Sequence, residues 1–135
     1  MNTQKVMLKH TKKDNFSLLE SFGTLTDKVA VYIPSTVNVN EKANNSAWFD
    51  YFTSLFSNIF GGCSSYDVKG FWISEQCGKV QEKTTIVYAY CEHTQLNDSL
   101  PLIIVQCRKM CRELTQECIS LEVNNRLHFI TKSED

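Results

Sequence analysis

Glycine and proline are scarce, five and two among 135 residues, which excludes collagen-like, linker-like and largely disordered chains. Charge excess of one sign is missing as well. Fourteen Lys and Arg stand against fifteen Asp and Glu, for a net charge of -1, so no global field exists for gripping nucleic acid or an anionic membrane. No apolar run approaches the ~18 residues of a membrane span, and the N-terminal stretch with Lys5, Lys9, Lys12 and Lys13 has no signal-peptide core. The expected location is therefore the cytoplasm, with no membrane partner. No Cys-x-x-Cys pair occurs, and His10, His93 and His128 are scattered, so metal-ligand spacing is absent and neither metal nor cofactor is expected. The six cysteines, Cys63, Cys77, Cys91, Cys107, Cys111 and Cys118, fall short of the ~8–10% found in small disulfide scaffolds. Reduced thiols are expected.

What remains is a chain with 42% hydrophobic residues and the length of one domain. Lys28 to Ile33 form a β-branched run stopped by Pro34, hence a strand. After a polar segment, Asn45 or Ser46 can cap a helix, in which Trp48, Phe49, Phe52, Leu55, Phe56, Ile59 and Phe60 recur at steps of three and four. Gly61-Gly62 ends it. Phe71–Ser74 and Thr84–Cys91 read as a paired hairpin, with Glu75 to Lys83 as its loop. Pro101 suits the first turn of a second helix striped by Ile103, Ile104, Cys107, Met110, Cys111 and Leu114 and ending near Gln116. A last hairpin joins Cys118–Val123 to Arg126–Ile130 through Asn124-Asn125, asparagine being suited to the positive φ of a two-residue turn.

The order strand, helix, strand, strand, helix, strand, strand predicts an α+β fold, the ferredoxin-like split βαβ pattern with one added strand, over residues 28–135. Right-handed crossovers carry both amphipathic helices to one sheet face. Residues 1–27 form an arm in which Asp14 or Asn15 caps a short helix edged by Phe16, Leu19 and Phe22 and stopped at Gly23. Alone it is too short to be stable, so it is expected to dock.

Strand alternation says what the uncovered sheet face shows. If Val29, Val31 and Ile33 face the helices, then Tyr32, Trp72, Ile86, Tyr88, Tyr90, Ser120 and Glu122 face away. Such a platform could stack nucleic-acid bases, yet it carries Glu122 and no strand-centre Lys or Arg, so nucleic acid is not an expected partner. The face is expected to be covered, by the arm, a second copy or a partner protein. Cys107 and Cys111 fall in an apolar stripe and read as small core residues. Cys91 and His93 have the types of a nucleophile and base but no orienting third group. Gly61 to Ser65 follows a helix rather than opening one, which is the wrong polarity for a phosphate loop. Glu82, Gln116 and His93 are polar groups that could serve a ligand.

Several stretches, Val31 to Asn40, Phe60 to Ser64, Gly70 to Trp72, Glu82, and Gln116 to Asn124, together resemble a family of small uncharacterised proteins carried on plasmids, phages and other mobile elements, over roughly residues 29–130. That resemblance implies a bacterial host cell. By analogy with such genetic settings it implies a non-enzymatic protein-binding module that inhibits a host defence system, as anti-CRISPR and other anti-defence proteins do. Its expected partner is a host protein or complex occluded through Tyr32, Trp72, Tyr88 and Tyr90, since aromatic anchors bury much area for little lost rotamer freedom. The alternative is a small-ligand-binding or enzymatic ferredoxin-like homodimer, with a pocket between sheet and helices and Glu82, Gln116 and His93 as polar handles.

Overall fold

A computed structural model describes residues 14–37, 41–42 and 45–133. The basic stretch holding Lys5, Lys9, Lys12 and Lys13, and His10, lie outside the described residues. Among the described residues, seven strands and two α-helices follow a 3-10 helix at Asn15–Ser21. In chain order they are β1 (Asp27–Pro34), β2 (Thr36–Val37), β3 (Glu41–Lys42), α1 (Ser46–Phe60), β4 (Ser64–Ser74), β5 (Gly78–Cys91), α2 (His93–Glu113), β6 (Cys118–Val123) and β7 (Arg126–Thr131).

Five strands build one antiparallel sheet in the order β4-β5-β1-β6-β7, and β2 pairs with β3. Without β7 this is the ferredoxin-like split βαβ topology, with β1 and β5 at its centre. Val29, Val31 and Ile33 from β1, Val87 and Cys91 from β5, and Ile119 and Leu121 from β6 are buried with Phe52 and Phe56 of α1 and Ile103, Cys107, Met110 and Cys111 of α2. Both helices therefore cover the same face. Gly61 ends α1 at φ 88°, donating its N–H to the Ser57 carbonyl at 2.9 Å, as a residue without Cβ can do at low cost. Asn124 and Asn125 turn the last hairpin at φ 52° and 67°, and the Asn124 side chain accepts from the Lys28 N–H at 2.8 Å, tying that turn to β1.

Three elements differ from the sequence reading. The central hairpin is far longer than Phe71–Ser74 and Thr84–Cys91: β4 and β5 pair continuously from Ser64↔Tyr88 to Ser74↔Gly78, with only residues 75–77 as a turn. Main-chain bonding sustains the polar run from Lys79 to Lys83, where side-chain patterning is silent. Because β1 pairs with β5 only from Thr84 onward, residues 69–83 project as a two-stranded ribbon. The second helix begins at His93, not at Pro101, which lies inside it. Its polar opening is held by a capping box, in which the Gln95 side chain accepts from the Glu92 N–H at 3.2 Å and the Glu92 side chain accepts in return. Finally, the arm's helix is 3-10, with Asp14 accepting from the Phe16 N–H at 2.9 Å, and it does not dock. Phe16, Leu18 and Phe22 remain 77%, 68% and 67% exposed.

Candidate functional site

Register sets the composition of the helix-free face. Lys28↔Tyr90, Ala30↔Tyr88 and Tyr32↔Ile86 pair across β1 and β5, Tyr66↔Ile86 and Trp72↔Val80 across β5 and β4, and Ala30↔Glu122 and Ser120↔Phe129 across β1, β6 and β7. Side chains alternate along a strand, so Tyr32, Trp72, Tyr88 and Tyr90 share this face. Tyr66 and Phe129 join them. Tyr66 is hidden in the sequence because residues 64–70 do not read as a strand, and Phe129 because the last strand is exposed on both sides apart from Ile130.

The rings fall into two groups. At one end Tyr66, Tyr88 and Tyr90 meet edge to face, with centroids 5.6 and 6.0 Å apart, and the Lys28 ammonium lies 4.9 Å from the Tyr88 centroid. At the other end a cleft of about 510 Å³ opens between the ribbon and β6-β7, walled by Tyr32, Trp72 and Phe129, with Glu82, Gln116, Glu117 and Ser120 as polar groups. The expected interface rings are thus split: Tyr32 and Trp72 line the cleft, Tyr88 and Tyr90 do not. The pocket expected between sheet and helices is on the opposite side, because α1 and α2 close tightly on the sheet through fully buried Phe52, Phe56, Ile103 and Cys107.

Each polar group reaches the cleft from a different element. Glu82 is half-buried on the ribbon, opposite Gly70 and diagonal to Trp72. Gln116 sits in the short link from α2 to β6, where its main-chain N–H donates to the Cys111 carbonyl at 2.9 Å and its side chain to the Leu114 carbonyl at 3.1 Å. Behind the rim, the Tyr32 hydroxyl donates to Glu122 at 3.0 Å. Burial, then the hydrogen bond and charge of Glu122, push the Tyr32 phenol up to about 12, so it stays protonated and donating at neutral pH. Cys118 also lines the cleft, and its thiol is raised by burial and then by Glu117, which keeps it out of the thiolate form a nucleophile needs. Among the described residues no Lys, Arg or His lines the cleft.

His93 is not part of it. The imidazole lies at the other end of β1, Nδ1 2.9 Å from the Asp27 carboxylate, in a cluster where Thr26 and Asn124 also donate to Asp27 at 2.8 and 3.2 Å. Cys91 is beside it, its thiol donating to the Asp27 carbonyl at 3.8 Å, and burial raises that thiol. The Cys91–His93 pair is therefore two groups organised around Asp27, with no bond between them given by the geometry. Cys107 is pushed up to about 12 by burial, and Cys111 is raised likewise. Among the described residues no three His, Cys, Asp or Glu side chains converge as metal ligands would, and no helix is long and apolar enough to cross a membrane.

No protein-family model and no curated protein matches the sequence. Among solved structures, a phage SAM lyase in complex with S-methyl-5'-thioadenosine shares the fold at 11% identity and a TM-score of 0.57, covering 82% of this chain and 92% of that one. The phage SAM lyase in its apo state matches at 12% identity and a TM-score of 0.58, over 84% and 94%. Both are similar to this chain in fold across nearly their whole length. They overturn the expectation of a non-enzymatic inhibitor of host defence, because the architecture over most of this chain is one that an enzyme uses. Nothing in the fold or the cleft supports the anti-CRISPR analogy.

Proposed function

We propose that the protein is an enzyme that binds a sulfonium nucleoside of the S-adenosylmethionine type in the open-face cleft and cleaves it as a lyase. The observation that carries this reading is the composition of the cleft. Tyr32, Trp72 and Phe129 offer ring faces, Glu82 and Glu117 offer carboxylates, and among the described residues no basic side chain competes. Aromatic faces together with carboxylates attract a cation whose charge is spread over a sulfonium and its neighbouring carbons. The same rings suit a flat nucleobase, and the volume of about 510 Å³ lies within the range of small-ligand pockets. The fold shared with a phage SAM lyase supports the reaction class, and its phage source supports the mobile-element origin that the sequence resemblance suggests.

Release of S-methyl-5'-thioadenosine requires the bond from sulfur to the amino-acid chain to break, with its electron pair staying on sulfur. The cation becomes a neutral thioether. A lyase adds no water, so the four-carbon fragment either closes on its own carboxylate or sheds a proton. In this site Glu82 and Glu117 draw in the cation, and Gln116 and Ser120 offer donors for the amino-acid carboxylate. Once the positive charge is gone, the carboxylates no longer hold the product. Incubating the protein with S-adenosylmethionine and separating the nucleosides by chromatography tests the reading. Accumulation of S-methyl-5'-thioadenosine, lost in Trp72→Ala, is expected, and unchanged substrate with the wild-type protein would overturn it.

A further inference from the structure

The arm and the ribbon are exposed apolar surfaces that one copy of the chain leaves apart. In the arm, Phe16, Leu19 and Phe22 recur at the three-residue period of a 3-10 helix, and all three are more than half exposed. Asp14 and Glu20 accompany them, and residues 14–27 contain no Lys or Arg. The ribbon, residues 69–83, extends past the end of β1, where Ser35 bonds the Lys83 carbonyl, as a strand pair that no third strand joins among the described residues, a form that is marginal in water unless something packs on it. One of its sides carries Trp72 and Glu82 of the cleft. The other carries Phe71 and Ile73, 57% and 75% exposed, together with Lys69, Lys79 and Lys83. Lys69 sits directly opposite Lys83, a like-charge pair that weakens a strand pairing, and the Lys79 ammonium lies 5.5 Å from the Phe71 ring centroid.

An apolar patch framed by three lysines fits an occupant that is apolar and acidic. Residues 14–27 of the arm, which follow Lys12 and Lys13, have that chemistry, but their own copy holds them at the wrong place. The arm enters β1 at Asp27, while the ribbon lies beyond the Pro34 end, so a strand of eight residues, roughly 26 Å, separates them. We propose that the arm of one copy docks on the lysine side of the ribbon of a second copy, Phe16, Leu19 and Phe22 against Phe71 and Ile73, with Asp14 and Glu20 facing Lys69, Lys79 and Lys83. The donating and receiving surfaces differ, so the contact is heterologous and joins copies head to tail into a ring or chain. Docking also braces the strand pair that carries Trp72 and Glu82; this last consequence alone rests on the lyase reading.

Light scattering and sedimentation on the full chain test the contact without reference to activity. The wild-type protein is expected to exceed the 15.5 kDa of one chain at least twofold at about 100 µM, a concentration well above a micromolar dissociation constant. The double variant Lys69→Glu with Lys83→Glu, and separately Glu20→Lys with Ser21→Lys, which leaves the Asp14 cap in place, are expected to be monomers with unchanged circular dichroism. Mixing the two variants is expected to restore the larger mass, since the reversed arm then meets the reversed ribbon. A wild-type monomer at that concentration overturns the proposal. So does an assembly that survives Phe16→Asp with Phe22→Asp, changes on an exposed arm that leave the core intact.

Discussion

His93 Nδ1 lies 2.9 Å from Asp27 Oδ2, joining the first residue of β1 to the first residue of α2 across 66 positions of sequence. With Thr26 and Asn124 also donating to the same carboxylate, Asp27 fastens the start of the central strand to a helix and to the last hairpin turn.

The hydrogen bond from His93, then those from Thr26 and Asn124, hold the Asp27 carboxyl below its ordinary 3.8. A carboxyl whose folded value is depressed is protonated more readily in the unfolded chain, so its contribution is complete above about 4 and disappears as pH falls through the lower folded value. Urea midpoints measured from pH 6 down to pH 2 are expected to drop steeply below about pH 4. In Asp27→Asn the wild-type advantage at pH 6 is lost and the acid slope is shallower. Parallel slopes in the two proteins would refute this role for Asp27.

Phe52 is fully buried, in edge contact with Phe56 at 6.0 Å between ring centroids. Phe52→Ala removes the transfer free energy of a ring and leaves a cavity between α1 and the sheet, at a cost of about 3–5 kcal/mol. Equilibrium urea denaturation is expected to show that loss as a lower midpoint with an unchanged slope.

Asn125 occupies the second position of the last turn at φ 67°, where a residue without Cβ fits better. Asn125→Gly is expected to stabilise the protein by about 0.5 kcal/mol or more, readable as a rise in thermal midpoint. Asn124→Gly is expected to do the reverse, because its side chain bonds both Lys28 and Asp27.

These contrasts show what the amino-acid order reveals. The β-branched run Val29 to Ile33 marks the central strand because Val29, Val31 and Ile33 are fully buried under the helices, and the helix stripes are strong because one side of each helix packs on the sheet. Gly61 and Asn124-Asn125 mark their turns because few residues accept positive φ. The ribbon is silent, since Lys79 to Lys83 are solvated on one side and held by main-chain bonds that any residue supplies. The opening of α2 carries only Leu96 and Leu100 as apolar markers among polar residues, and Pro101 masks it further. Glu82 and Gln116 were visible as polar groups near apolar elements. That they meet across a cleft depends on the ribbon's length and on the link from α2 to β6, both set by tertiary packing rather than by local pattern.

Tyr32 and Glu122 supply the last test, because the phenol that donates at 3.0 Å stands in the wall of the cleft. Its value, pushed up to about 12 by burial first and Glu122 second, means that the folded protein holds this proton where the unfolded chain has lost it. Stability is therefore complete below about pH 10 and declines as pH rises from about 10 toward 12. Alkaline absorbance titration of the five tyrosines is expected to show a late step near 12 that is missing in Tyr32→Phe. In Glu122→Gln the step should move down but stay above the ordinary 10, since burial is the larger cause and survives the substitution. A step that falls all the way to 10 in Glu122→Gln would mean that water reaches the phenol freely and that the cleft wall is wetter than its burial implies.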